Sequence, residues 1–242
     1  MKFAAAILVL VSVLVAADPQ EYTQAVKLLQ QQNWAAAHKQ IQELLTHYPG
    51  NPKVLNLRGL AFLGEGKSQQ AIAAFEGALQ SAPGFFPALK NLAIHEWAID
   101  RQPAARQHLE AALKLEPADA VLNVYAALAS LEQKNYPAAK RHLEIGSSKI
   151  PALEPAVEFR LAVLLASNER YAEAAGRFES VLGRVGDSYD IRYNLGLCYL
   201  LSGNKERAAR VLEELRTRRK TSELSNLLAR VYEASGRTQD AV

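Results

Sequence analysis

Five histidines and one cysteine are the side chains of this sequence best suited to binding a metal or carrying out catalysis. Two of them, His108 and His142, are 34 residues apart, so a chain that repeats with this period would bring them close together. A metal site needs three or four ligands held around one ion. No carboxylate or thiol recurs beside the two histidines at a suitable spacing. We therefore expect no metal site, no cofactor and two solvated histidines on an outer face.

Recognisable catalytic motifs are missing from the sequence. It contains no Gly-rich phosphate loop, no His-Glu-x-x-His zinc helix and no Gly-x-Ser-x-Gly nucleophile turn. Cys198 lies between Leu195 and Tyr199 on the apolar side of a predicted helix, which favours a small buried hydrophobe over a reactive thiol. We therefore predict that the protein is not an enzyme.

The elements that would position these residues are helical hairpins. Between Asn51 and Gly84, two segments with apolar residues spaced three and four apart are separated by Gly64 and Gly66 and followed by Pro83. This pattern predicts two amphipathic helices joined by a turn. One such hairpin cannot bury both of its apolar stripes, so it needs neighbours of the same kind.

Similar hairpins recur along the chain, because three columns of residues repeat with steps of 34 or 35 positions and one last step of 33. Two columns contain only alanine or glycine and indicate where helix backbones approach closely, since larger side chains would separate them. The third column contains large apolar residues that fill the adjacent space. The columns are Ala37, Ala71, Ala105, Ala139, Ala174 and Ala208; Ala25, Gly59, Ala93, Ala127, Ala162, Gly196 and Ala229; and Ile41, Phe75, Leu109, Leu143, Phe178 and Leu212.

This pattern resembles the tetratricopeptide repeat, a helix-turn-helix of 34 residues. The resemblance extends over nearly all of residues 18–242 and implies an all-α, right-handed α-solenoid of stacked hairpins, with six full repeats and a partial seventh. The repeats lie at about 18–51, 52–85, 86–119, 120–154, 155–188, 189–221 and 222–242. One residue is inserted near Pro151 and Pro155, where we expect a bend and the one internal boundary of the solenoid.

Residues 1–17 differ from the repeats. Lys2 precedes an apolar run from Phe3 to Val15, and small residues follow up to Ala17, a pattern typical of a secretory signal peptide. The run is shorter than the ~20 residues that span a bilayer. We therefore expect cleavage after Ala17, a periplasmic or secreted protein and no stable membrane span after cleavage; an uncleaved anchor is the alternative.

The charge of the chain gives no reason to expect nucleic acid as a partner. Its formal net charge is +3, and removal of Lys2 with the signal segment would leave 27 basic residues against 25 acidic ones. The densest basic run, 216–220, is interpreted as a solvated loop. Contact with an anionic lipid, a glycan or an acidic protein is the alternative.

The resemblance also implies a binding surface, because first helices of the family line a concave groove with the fifth, ninth and twelfth residues of each repeat. In this chain it places a protein-binding or peptide-binding groove on Asn56, Leu60, Lys90, Ile94, Trp97, Val124, Leu128, Leu131, Phe159, Val163, Tyr193 and Leu197. We expect exposure above all for Trp97, Phe159 and Tyr193. If the apolar residues are exposed they form a patch that monomers rarely leave unused; if the curvature of the solenoid covers them, they belong to the core.

The predicted function is that of a non-enzymatic scaffold or adaptor in the cell envelope. The alternative, suggested by the incomplete seventh repeat, is a regulatory or substrate-docking region of a larger enzyme whose catalytic domain lies beyond Val242. Lys53, Asn56, Lys90 and Asn91 partly match the clamp with which some family members hold a peptide carboxylate. The paired Lys-x-x-x-Asn and Lys-x-x-x-Arg of that clamp are absent in register, so we do not expect this activity.

Overall fold

A computed structural model describes residues 20–146, 150–151, 153–186 and 188–237. Within these ranges the chain contains helices and no strands. The thirteen helices are α1 Gln20–Gln30, α2 Trp34–His47, α3 Pro52–Gly64, α4 Ser68–Ser81, α5 Phe86–Ala98, α6 Gln102–Leu115, α7 Ala120–Glu132, α8 Tyr136–Gly146, α9 Pro155–Ser167, α10 Tyr171–Val185, α11 Tyr189–Leu201, α12 Lys205–Arg218 and α13 Ser222–Ala234. The predicted all-α repeat fold is confirmed.

The helices belong to two compact units that divide between Pro151 and Ala152. The first unit contains four hairpins, α1–α8, and the second contains two hairpins, α9–α12, followed by α13. The division falls in the segment with the inserted residue, where the sequence predicts the internal boundary. The predicted signal segment and the start of the last predicted helix, at 239–242, lie outside the described residues.

Each of the six hairpin turns, and the turn that follows α13, contains one residue with positive φ at the same place in the repeat. Gly66, Gly203 and Gly236 take this place in three turns, with φ of 74–86°. The other four turns use Gln32, Asp100, Lys134 and Glu169, with φ of 56–61°. A side chain makes this left-handed conformation unfavourable, so four turns keep the repeat geometry at some cost in stability.

The alanine and glycine columns lie where the hairpins are tightest. The alanines of the first column are buried. A Cβ added to Gly59 would lie 2.3 Å from the ring of Phe75, and one added to Gly196 would lie 2.4 Å from Leu212. The large residue of the second helix therefore occupies the space that the small residue of the first helix leaves. The predicted relation between these columns is confirmed.

Candidate partner-binding surface

The predicted groove residues of the first unit are mostly buried. Leu60 and Leu128, which both take the ninth place of their repeats, are 0% exposed. Asn56 and Val124 are also fully buried, whereas Ile94 and Leu131 are partly exposed. In this unit, the first helices pack most of these side chains into the core.

The expected exposure of Trp97 is wrong. Its side chain is only 6% exposed, and its ring meets Tyr125 edge-on, with centroids 5.7 Å apart and planes at 80°. The two residues lie on α5 and α7, the first helices of successive hairpins, which contact each other. A large ring at the twelfth place therefore fills the space between neighbouring repeats instead of facing a partner.

The polar groove residues of the first unit form hydrogen bonds within the chain. Asn91 Nδ2 donates to Asn56 Oδ1 over 2.8 Å, and the Nδ2 of Asn56 is buried and donates no hydrogen bond. Lys90 Nζ donates to Asp119 Oδ2 over 2.6 Å, and both side chains are largely buried. These hydrogen bonds link a first helix to the next one or to its capping residue, and they occupy Asn91 Nδ2 and Lys90 Nζ.

The corresponding residues of the second unit are more accessible. Val163, at the ninth place of its repeat, is 41% exposed, and Phe159, Tyr193 and Leu197 are partly exposed. They lie on α9 and α11, two first helices that contact each other. Phe159 is held in place by the buried ring of Phe178, at a centroid distance of 5.6 Å. We call Phe159, Val163, Tyr193 and Leu197 the apolar strip.

A cavity of about 320 Å³ lies beside the apolar strip, at the N-terminal ends of α11 and α13. Tyr189 and Tyr193, one helical turn apart, stack with their ring centroids 6.1 Å apart and an interplanar angle of 17°. The guanidinium of Arg219 lies 5.0 Å from the centroid of the Tyr189 ring. The hydroxyl groups of Tyr189 and Thr221 share a hydrogen bond of 2.8 Å. Two stacked aromatic rings therefore form one wall of this cavity.

Two carboxylates complete the polar part of the cavity. Asp190 lies in the first turn of α11 and Glu223 in the first turn of α13. Hydrogen bonds from its own backbone N–H and from the Thr221 hydroxyl hold the pKa of Glu223 below its usual value. Thr221 Oγ1 also accepts from the backbone N–H of Leu224 and so caps α13.

Of the seven lining residues, only Tyr193 is among the predicted groove residues. The others are Tyr189, Asp190, Asn194, Arg219, Thr221 and Glu223. The tyrosines at positions 189 and 193 have helical i, i+4 spacing, and Thr221 with Glu223 is typical of a helix start. These signals were available in the sequence, but they do not show that two helix starts share a cavity.

His108 and His142 do not form a site together. His108 Nδ1 contacts the buried carboxylate of Glu96 at 2.7 Å, and His142 Nδ1 contacts Asn123 Oδ1 at 2.8 Å. Each histidine thus bonds to the first helix of its own hairpin, and the expectation of two solvated residues is wrong. Burial, with a smaller effect of Arg141, lowers the pKa of His142. Among the described residues, no group of three or more His, Cys, Asp or Glu side chains is placed to hold a metal ion.

One hydroxyl–imidazole pair has the geometry expected of a nucleophile and its base. Ser68 Oγ lies 2.6 Å from His95 Nε2, and burial lowers the pKa of His95, which favours the neutral ring. The imidazole is buried, so a substrate could not reach it. The pair links α4 to α5 and is a structural contact. Sequence reasoning missed it because the two residues are 27 positions apart.

Cys198 is buried, and burial raises the pKa of its thiol to about 11. The interpretation of this residue as a small buried hydrophobe is confirmed. The basic residues Arg216, Arg218, Arg219 and Lys220 are exposed, as predicted, but the expected loop is wrong for the first three positions of the run, because α12 continues to Arg218. No helix in the described part of the chain is both long enough and apolar enough to cross a membrane.

Comparison with solved structures supports the fold. Pseudomonas aeruginosa PilF is 19% identical with a TM-score of 0.63, over 91% of this chain and 94% of PilF. A tetratricopeptide repeat protein from Parabacteroides merdae is 17% identical with a TM-score of 0.53, over 92% of this chain and 90% of that one. YrrB is 16% identical with a TM-score of 0.50, over 81% and 97% of the two chains.

Comparison with sequence families gives the same assignment. No curated protein sequence gives a significant match. Family models for the tetratricopeptide repeat match residues 22–84 in the first unit and residues 165–231 in the second. Together the two matched segments contain more than half of the 242 residues. Both segments include residues of the alanine and glycine columns described above. The chain belongs to the tetratricopeptide repeat family.

Proposed function

We propose that this protein is a non-enzymatic scaffold of the cell envelope that binds a peptide or helix of a partner protein on the apolar strip of its second unit. Tetratricopeptide repeat proteins generally mediate protein–protein interactions, and their fold is typically that of a non-catalytic scaffold. YrrB, which has the same fold, has an unusual peptide-binding site. That likeness concerns the fold alone, so the argument for this chain rests on its own residues.

The observation that carries the proposal is a difference between equivalent residues. The ninth residue of the repeat is fully buried at Leu60 and Leu128 and partly exposed at Ile94, but 41% exposed at Val163. Leu197, at the same place in the next repeat, is also partly exposed. Exposed apolar residues that follow one another on adjacent helices indicate a contact surface, because burying them against a partner is favourable.

The border of the apolar strip supports an amphipathic partner. On α13, the fifth, ninth and twelfth places hold Asn226, Arg230 and Glu233, and all three are exposed. A partner helix could place its apolar residues on α9 and α11 and its polar side along α13. The strip is carried on rigid helices, so the scaffold itself loses little conformational entropy on binding.

The envelope location is supported by residues 1–17, which have the composition of a secretory signal peptide. A scaffold in that compartment would be expected to bind proteins of the envelope. The extract used to search for the partner should therefore come from the cell envelope.

The experiment compares three forms of the purified chain as bait in such an extract. They are the wild type, Val163→Glu/Leu197→Glu, and Val185→Glu as a matched control. Val185 is 50% exposed but lies at the end of α10, a second helix outside the strip. We expect one protein to be captured by the wild type and the control and lost by the double variant. Circular dichroism checks that all three remain equally helical, and Val163→Glu alone replaces the double variant if that one melts earlier.

Capture of the same proteins by all three forms would show that the apolar strip is not the binding surface. Loss of capture by Val185→Glu alone would move the site to the second helices. Either outcome refutes the proposal as stated.

A further inference from the structure

The cavity between the N-terminal ends of α11 and α13 is lined by polar and charged residues as well as aromatic ones, unlike the apolar strip. We propose that it binds a lysine or arginine side chain of the partner segment that docks on the strip. This inference rests on the proposed function and specifies the chemistry of the partner. It implies an apolar segment with a basic residue close to one end.

The aromatic wall of the cavity is suited to a cation. Lysine and arginine are attracted to the face of an aromatic ring when they lie within about 6 Å of its centroid. The chain already shows this contact, since the Arg219 guanidinium lies 5.0 Å from the centroid of the Tyr189 ring. Tyr193 stacks on Tyr189 and is itself partly exposed, so the stack remains accessible to a second cation.

The carboxylates give the cavity a negative balance. Asp190 and Glu223 line it, and Arg219, already placed over Tyr189, is the one basic residue among the lining residues. The charge of Arg219 acts on Glu223 as well as on the Tyr189 ring, so one of the two carboxylates, Asp190, exceeds the positive charge of the lining. Both carboxylates lie in the first turn of a helix, where a negative side chain interacts favourably with the helix dipole. A partner carboxylate would be repelled by both groups, whereas a partner cation would be attracted.

The basic run 216–220 is the main argument for an anionic ligand in this region. Arg216, Arg218 and Lys220 are exposed and do not line the cavity. Salt screens charges of this kind over about 8–10 Å at physiological ionic strength. A ligand in the cavity meets Asp190 and Glu223 directly, whereas Arg216, Arg218 and Lys220 do not line it.

The geometry also limits the position of the basic residue in the sequence of the partner segment. Tyr193 belongs to both the cavity and the apolar strip, and Leu197 follows one turn later on α11. One turn of helix is about 5.4 Å, which is close to the distance along α11 between these two residues.

The cavity volume of about 320 Å³ is at the small end of the range for ligand pockets, which is roughly 300–1,000 Å³. This suits a single side chain that reaches in beside the docked apolar residues.

The test is an NMR titration of the full chain with three small probes, Nα-acetyl-lysine amide, Nα-acetyl-arginine amide and Nα-acetyl-glutamate amide. We expect both basic probes to bind with millimolar affinity and to shift the backbone amide signals of Tyr193, Asn194 and Leu224. The variant Asp190→Asn/Glu223→Gln should weaken their binding at least tenfold. The matched control is Glu206→Gln, which removes an exposed carboxylate from the first turn of α12 outside the cavity. It should bind as the wild type does. If the double variant melts earlier, Asp190→Asn alone takes its place.

Three results would overturn the inference. The glutamate probe could bind best and lose its binding in Arg219→Gln, which would make the cavity an anion site. The basic probes could bind equally to wild type and to the carboxylate variant. Or no probe could shift the cavity signals. Val163→Glu/Leu197→Glu should bind the basic probes normally. The titration therefore tests the cavity, and the capture experiment tests the apolar strip, independently of each other.

Discussion

Replacing Gly59 with alanine should destabilise the first unit, although the same change usually stabilises a helix. Alanine is about 1 kcal/mol more favourable than glycine in a helix interior. At position 59, however, the new Cβ would lie 2.3 Å from the ring of Phe75, which is fully buried. Carbon atoms in contact prefer about 3.5–4.0 Å, so the ring or the helix must move by more than about 1 Å.

The partner helix of the same hairpin provides a matched control. Gly77 on α4 has a side chain, Leu55 Cδ1, at 3.8 Å from its added Cβ, which is an ordinary contact. Gly77→Ala should therefore stabilise the unit by about 1 kcal/mol. Overpacking a core costs about 1–3 kcal/mol, and the short distance at position 59 favours the upper part of this range. We expect Gly59→Ala to lose about 1–2 kcal/mol net.

Urea unfolding followed by tryptophan fluorescence measures this difference in the correct part of the chain. Both tryptophans, Trp34 and Trp97, belong to the first unit. The two variants should shift the urea midpoint in opposite directions without a change in slope. Equal midpoints, or a higher midpoint for Gly59→Ala, would refute the argument that the ring of Phe75 fills the space above Gly59.

Three further predictions concern the first unit. Ala105 is a buried residue of the alanine column, so Ala105→Leu should lower the free energy of unfolding by about 1–3 kcal/mol and with it the melting temperature. An unchanged melting temperature would mean that the column does not mark a close approach of two helix backbones. Lys134→Gly should stabilise by up to about 1 kcal/mol, because φ at this position is 58°, and a loss in urea unfolding would contradict this. Burial lowers the pKa of His95 and His142 below 6.5. Below that pH the unfolded state therefore binds more protons than the folded state, so the free energy of unfolding falls as the pH falls. His142→Gln should flatten the decline in tryptophan-detected stability between pH 6.5 and about 5, and an unchanged slope would exclude His142 as its source.

The register of the repeats could be predicted from the sequence because it depends on contacts within one hairpin. Gly59 and Phe75 belong to the same hairpin, and their types show that one residue must be small where the other is large. The same reasoning placed Cys198 in the core. The periodic pattern contains the information about these contacts, since it reflects which face of each helix meets its partner.

Exposure along the first helices could not be predicted in this way. Leu60 and Val163 take the same place in their repeats, yet one is fully buried and the other is 41% exposed. Exposure of a first-helix residue also depends on side chains of the neighbouring repeats, as the contact of Tyr125 with Trp97 shows. The histidine contacts were missed for a related reason, because Asn123 and Glu96 become hydrogen-bond partners only when the helices pack.

The first helices of the two units therefore have different roles, although both belong to the same kind of repeat. In the first unit, the first helices carry buried polar residues that bond to one another or to a neighbouring turn, as Asn91 does to Asn56 and Lys90 to Asp119. A buried hydrogen bond of this kind favours one arrangement of successive repeats, because breaking it leaves an unpaired polar group. In the second unit, the fifth and ninth places of α9 and α11 are Phe159, Val163, Tyr193 and Leu197, which are partly exposed or, at Val163, exposed. Exposed apolar side chains gain free energy when a partner buries them, whereas Lys90, Asn91 and the Oδ1 of Asn56 already bond within the chain. This difference leads us to assign partner binding to the second unit.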